Sequence, residues 1–148
     1  MAQTPGALLF WENLLSKTKF SRIIEFGTMR GGLSYYFSLF CEERGAEFFT
    51  FDNADFPKPD RVRNDFYNED IFKNINDIRD LIQRDGVTIL FCDNGFKRKE
   101  IKIFSKFLKK GDILAVHDWM TEVFPIDVPE GLEPIVEGEM TKLWKKSL

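Results

Sequence analysis

The sequence predicts a doubly wound α/β domain whose mostly parallel sheet ends in an antiparallel C-terminal hairpin. Three observations predict it. Short apolar runs alternate with segments of helical spacing five times along the chain, which calls for parallel strands joined by helices on both faces. The first run breaks into a glycine-bearing turn, Gly27-Thr-Met-Arg-Gly31-Gly32, before helical spacing resumes. The last two runs, Leu132 to Val136 and Thr141 to Lys145, are short, close together and joined by Glu137-Gly138-Glu139, so they read as a hairpin.

Taken in order, Leu8, Trp11, Leu14 and Leu15 predict a leading helix and Ile23 to Phe26 a buried strand. Leu33, Tyr36, Phe37 and Phe40 recur at helical spacing, and Gly45 closes that helix. Phe48 to Phe51 form the second strand. Pro57 and Pro59 then mark a loop, followed by a weak third strand around Arg63 to Tyr67. Ile71, Ile75, Ile78 and Ile82 give the cleanest helical stripe, which ends near Asp85-Gly86. Val87 to Cys92 is a continuous apolar strand; Ile101, Phe104 and Leu108 mark a helix; and Ile113 to Val116 form a fifth strand entered through Lys110-Gly111-Asp112.

With 148 residues, 43% of them hydrophobic, residues 1–148 are expected to form one domain. The net charge of −3 supplies no global field toward nucleic acid or an anionic membrane, so neither is an expected partner. No apolar run approaches a membrane span, and the start of the chain lacks a signal-peptide layout, so the cytoplasm is the expected location. Cys41 and Cys92 are isolated and read as buried thiols rather than a disulfide.

The glycine turn carries the chemistry. Without Cβ atoms the backbone can turn sharply and admit a ligand, and the amides opening the next helix offer partial positive charge. The second strand ends in Asp52, about 20 residues on, the position from which a carboxylate accepts both hydroxyls of a ribose. A nucleoside-containing cofactor is implied. The dinucleotide fingerprint G-x-G-x-x-G does not match Gly27-x-x-x-Gly31-Gly32, and Gly32-Leu33-Ser34 lacks the lysine of a phosphate-gripping loop.

In an open parallel sheet the ligand sits beyond the carboxyl ends of the strands. Glu25 and Gly27, Asp52 and Asn53, Asp93 and Asn94, and His117 and Asp118 stand at those ends. Each acidic or amide side chain there has a second reading as a turn former or helix cap. Glu25, in an otherwise apolar strand, needs a donor beside it in either reading. Asp93 and Asp118 fall on neighbouring strands about 5 Å apart, within reach of one cation. His117, the only histidine, is read either as ligand or general base or as a packing residue.

Glu25-Phe-Gly27-Thr28-Met29-Arg30-Gly31-Gly-Leu-Ser34 resembles the E-x-G-x-x-x-G-x-S first motif of class I S-adenosylmethionine-dependent methyltransferases, closest to the sugar O-methyltransferase and cephalosporin-hydroxylase-like branch. Cys92-Asp-Asn-Gly-Phe96 with Gly111-Asp112…Val116-His117-Asp118 is similar to the paired later motifs of that branch. Phe96 stands where a histidine is frequent, and Asp112 where a second glycine is usual. The resemblance spans about Ser21 to Lys146 and implies a Rossmann-like methyltransferase sheet. It implies S-adenosylmethionine bound by Glu25, Gly27, Thr28, Met29, Arg30, Gly31, Ser34, Asp52 and Asn53, with Asp93 beside them. Asp70 and Ile71 would meet the adenine; Asp70 reads equally well as a helix cap. Catalytic roles fall to His117 and Asp93, with Lys97 as the substitute for the missing histidine; the basic run Lys97-Arg98-Lys99 reads alternatively as a solvated face. Metal-dependent members imply a divalent ion, magnesium or manganese, on Asp93, His117 and Asp118.

The expected activity is O-methylation of a sugar or small hydroxylated metabolite. Only the leading helix, the Asp52 to Asp65 loop and the Trp119 to Pro134 segment are available to shape an acceptor pocket, so a homodimer sharing that pocket is also an expectation. A nicotinamide-dependent oxidoreductase would share the sheet and Asp52 but not the glycine spacing. A non-catalytic binding or assembly module on the same fold is the other rival.

Overall fold

Alternation of apolar runs and helices produces the expected three layers in the computed structural model, which describes residues 4–148. The order is α1 (Pro5–Lys17), β1 (Arg22–Phe26), α2 (Gly32–Arg44), β2 (Glu47–Asp52), α3 (Asp60–Arg63), β3 (Phe66–Asn68), α4 (Ile75–Ile82), β4 (Thr88–Cys92), α5 (Lys97–Phe104), β5 (Ile113–Val116), β6 (Leu132–Gly138) and β7 (Thr141–Lys146). One seven-stranded sheet has the order β3-β2-β1-β4-β5-β7-β6. β1 to β5 are parallel; β7 runs antiparallel to both β5 and β6.

Strand periodicity divides the core in two, because successive side chains face opposite sides. Ile24, Phe26, Leu90, Cys92, Leu114 and Val116 pack toward α4 and α5, with Ile78, Ile82, Ile101 and Phe104. Ile23, Ile89, Phe91, Ile113 and Ala115 pack toward α1 and α2, with Trp11, Leu15, Leu33 and Phe37. Glu25 falls on this second face, directly under the first turn of α2. Cys41 and Cys92 are buried free thiols, as expected. No helix of the described residues is long and apolar enough to cross a membrane.

Three local expectations change. Residues 60–63, partly expected as strand, are helical, and β3 begins only at Phe66, where its backbone pairs with Thr50 to Asp52. The helix expected from Ile71 is interrupted at Asn74. Asp70 accepts from the Phe72 N–H, and the Asn74 side chain donates to the Asp70 carbonyl, so a 3-10 turn over Ile71–Lys73 closes before α4 starts. The hairpin turn lies at Glu139-Met140, one to two residues beyond its expected centre. Both residues have positive φ, 50° and 60°, the geometry that matches strand twist in a two-residue hairpin.

Candidate functional site

Glu25 is enclosed at the end of β1, where Ser34 Oγ and Thr50 Oγ1 both donate to its Oε2, at 2.5 and 2.7 Å. Thr50 Oγ1 also meets Thr28 Oγ1 at 2.6 Å. Burial raises the Glu25 pKa to about 8; the two hydroxyls oppose the rise, and Asp93 and Asp52 add to it. Thr28 and Ser34, expected to contact the cofactor, spend their side chains inside this network. Only their backbone is left to face a ligand.

The fold itself uses the missing side chains of the glycines. At Gly27, φ is +102° and a Cβ would lie 2.4 Å from the Asp93 carbonyl oxygen, so the missing side chain lets β1 and β4 close on each other. Gly31 is the left-handed N-cap of α2 and packs against Val62 of α3. These glycines fit protein against protein. Met29 is exposed, and Arg30 lies over the Phe56 ring at 5.8 Å.

Asp52 ends β2 and is itself buried. Its Oδ2 accepts from the Met29 N–H at 2.8 Å and its Oδ1 from the Ala54 N–H at 3.0 Å, which ties the glycine turn to the β2 end. Each oxygen retains a lone pair for a hydroxyl donor. Beside it opens a cavity of about 200 Å³ lined by Asn53, Glu69, Asp70, Ile71, Phe72, Asn94, Gly95 and Phe96. Asn53, Asp70 and Ile71 thus meet as expected, while Asp52 flanks the cavity without lining it. Asp70 is also the cap of the 3-10 turn, accepting from the Phe72 N–H through Oδ1. Phe72 and Phe96 form its aromatic wall, ring centroids 6.4 Å apart.

At the ends of β4 and β5, one ligand atom each from Asp93, His117 and Asp118 lies within 4.8 Å of the others. His117 Nδ1 is 3.0 Å from Thr141 Oγ1, and that hydroxyl lies 3.5 Å from the Glu139 carbonyl. A hydroxyl donating to the carbonyl accepts from Nδ1–H, a tautomer that leaves the Nε2 lone pair free. Nε2 is 3.5 Å from Asp118 Oδ1. Asp118 has φ 57°, an uncommon conformation for a residue with a side chain, held by three backbone N–H groups from Thr121 to Val123 that donate to its carbonyl. Burial lifts the Asp93 pKa to about 6; His117 and Lys97 oppose the rise. Two carboxylates and a neutral imidazole suit a divalent cation, so the residues fit the implied metal.

Lys97 stands among carboxylates. Its Nζ lies 2.9 Å from Asp118, 3.0 Å from Glu122 and 3.8 Å from Asp93. Burial alone would lower its pKa, but the bonds to Asp118 and Glu122, with Asp93, carry the net shift upward. It is a cation in the acidic cluster, and of the run Lys97-Arg98-Lys99 only the last two are solvated.

The sequence reading missed Thr141, Glu122 and Glu100. Thr141 was legible in principle, since the β5–β7 register pairs Val116 with Lys142 and so sets Thr141 beside His117. Glu122 sits in an irregular turn with no sequence signal. Glu100 is fully buried on α5, its oxygens without a hydrogen-bond partner of normal geometry. Burial raises its pKa to about 8; Lys97 opposes the rise. Asp112 is structural: it accepts from the N–H groups of Thr88 and Lys109 and pairs with the Lys109 ammonium.

A glycine turn after β1, an acid closing β2, the 3-2-1-4-5-7-6 strand order and an antiparallel β7 together define the class I methyltransferase fold. The structure of cmcI with SAH superposes with a TM-score of 0.69 at 14% identity, covering 98% of this chain and 78% of that one. Cofactor-bound Rv0187 from MTB gives 0.66 at 11% identity, over 99% and 82%. A cmcI structure with Mg-SAM gives 0.56 at 14% identity over 78% of this chain, and the match spans about half, 53%, of that one. No family model and no curated protein matches the sequence.

Proposed function

We propose that the chain is an S-adenosylmethionine-dependent methyltransferase that methylates an oxygen of a small hydroxylated acceptor such as a sugar. The observation that carries this reading is the meeting of Asp93, His117 and Asp118 at the ends of β4 and β5, with β4 next to β1 and its glycine turn and two strands from Asp52 on β2. Cofactor and acceptor sites are thereby adjacent. The neighbours' printed cofactors, SAH and Mg-SAM, accord with it.

Asp52 would hold the ribose hydroxyls, and the cavity between Asp70, Phe72 and Phe96 would take the base. Methyl transfer from a sulfonium is an in-line displacement: the carbon–sulfur bond breaks as the carbon–oxygen bond forms, and the acceptor hydroxyl loses its proton. Thr141 orients the His117 ring so that Nε2 can take that proton. Asp118 faces the same nitrogen and stabilises the imidazolium. A divalent cation held by Asp93, Asp118 and the same His117 Nε2 would occupy that lone pair and supply, in place of proton transfer to His117, Lewis acidity that lowers the hydroxyl pKa. Lys97 neutralises the two aspartates and can stay on Glu122 when they take another charge.

The test is calorimetric titration with S-adenosylmethionine and S-adenosylhomocysteine, with and without magnesium or manganese. Saturable one-to-one binding of both is expected. Binding of neither, in a chain that NAD protects from thermal unfolding, would overturn the reading.

A further inference from the structure

We propose that the acceptor carries a phosphate ester on an apolar spacer, and that this tail lies in a basic trough along α5, leading away from the methyl-transfer site. The inference rests on the methyltransferase reading and names the acceptor's chemistry.

Charge is distributed unevenly. The stretch from Lys97 to Lys110 holds seven of the chain's 21 lysines and arginines and only one of its 24 acids, Glu100, within a chain of net charge −3. Lys97 and Lys109 are consumed inside the fold by ion pairs. Lys102 and Lys106 are exposed and have no ion-pair partner among the described residues. Separated by four positions across the end of α5, they point to one side together with Lys99. Unneutralised like charges on one face repel each other, and a multiply charged anion relieves that repulsion.

Shape agrees with charge. A cavity of about 270 Å³ beside Lys97 and Glu122, hence beside the acidic cluster, shares Arg98 and Lys99 with a second of about 560 Å³. The second runs between Lys102 and Lys106 on one side and Ile126 and Val128 on the other. Ile126 is 92% exposed, an apolar side chain offered to whatever occupies the trough. In the trough the aliphatic carbon of Ile126 and Val128 faces the ammonium groups of Lys102 and Lys106, and Arg98 and Lys99 join it to the cavity beside the acidic cluster. A hydroxylated head at the cluster would leave an apolar spacer against the aliphatic wall and a phosphate beside the lysines. Lysine ammonium groups meet phosphate oxygens as point charges, and the one carboxylate in the lining, Asp127, is already paired with Arg98 at 3.3 Å.

The experiment follows amide shifts of the chain saturated with S-adenosylhomocysteine during titration with hexyl phosphate, inorganic phosphate or hexanol. Hexyl phosphate is expected to bind at least tenfold more tightly than either half and to shift Lys102, Lys106 and Ile126. The paired change Lys102→Glu and Lys106→Glu should weaken it at least tenfold and flatten its salt dependence; Ile126→Ser should weaken it severalfold with the salt dependence retained. These positions are exposed, so the variants are expected to fold, and their thermal unfolding checks it. Sedimentation with phosphatidylcholine vesicles containing phosphatidylglycerol separates the sources. Co-sedimentation that the double variant abolishes assigns the phosphate to a lipid headgroup, and hexyl phosphate binding without it assigns a soluble ester. Hexyl phosphate that binds no better than hexanol, or equally well to the double variant, overturns the proposal with the methyltransferase reading intact. A chain that takes hexyl phosphate but not S-adenosylhomocysteine keeps the trough and loses the methyltransferase reading.

Discussion

Glu25→Gln should make the protein more stable at alkaline pH. The Glu25 carboxyl lies between two hydroxyl donors on one oxygen, with a pKa of about 8 against an ordinary 4.5. The folded chain therefore holds a proton that the unfolded chain releases above pH 4.5. Stability falls wherever the folded state binds more protons and pH rises, so the loss begins near 4.5 and is complete near 8. Each pH unit across that window costs up to about 1.4 kcal/mol, which sets a ceiling of about 4–5 kcal/mol. Glutamine mimics the protonated form, because its carbonyl can accept from Ser34 and Thr50 and its amide never ionises. At pH 5 the two proteins should agree within about 1 kcal/mol; at pH 8.5 the variant should lead by roughly 2–4 kcal/mol. Urea unfolding at half-unit pH steps measures the difference, and the subtraction removes titrations common to both. Parallel stability curves from pH 5 to 8.5 would show that Glu25 ionises normally in the fold.

Asp52→Ala should weaken S-adenosylhomocysteine binding by roughly 1.5–3 kcal/mol, about 10- to 150-fold, by calorimetry; unchanged affinity would remove Asp52 from the ribose site. Gly27→Ala should cost roughly 2–4 kcal/mol of stability, because a side chain at φ +102° meets the Asp93 carbonyl. Its urea midpoint should fall even without cofactor, and a variant that unfolds like the parent would contradict the close approach. Chelator and Asp118→Asn should each suppress methyl transfer while leaving S-adenosylhomocysteine affinity within about threefold. Turnover indifferent to both would leave His117 acting without a metal.

The fold was legible because its determinants are periodic. Apart from Glu25 and Thr88, runs such as Ile23–Phe26 and Thr88–Cys92 are apolar on both faces, which only a strand covered on both sides requires, and the intervening helices show their own spacing. Errors fell where side chains compete with backbone. Asn74 and Asp70 break a continuous isoleucine stripe by bonding locally, and no periodicity reports that. Pro57 and Pro59 do mark a loop, and the one-turn α3 that opens directly after Pro59 is too short to show a helical period.

The site was legible as a set of positions and not as a set of roles. Strand ends collect polar residues in any fold of this topology, so Glu25, Asp52, Asp93 and His117 could be located from alternation alone. What each does depends on partners distant in sequence. Thr50 and Ser34 turn Glu25 inward, Val62 and the Asp93 carbonyl explain two glycines, and Thr141 sets the His117 ring. Lys97 shows the difference most plainly. Read in its local run it is one of three adjacent cations; in space it faces three carboxylates while its neighbours face solvent. A lysine so placed occupies part of the charge that a divalent ion would neutralise on Asp93 and Asp118. Lys97→Met should therefore tighten manganese binding while lowering stability, whereas loss of both would make Lys97 part of the site's scaffold rather than a competitor for it.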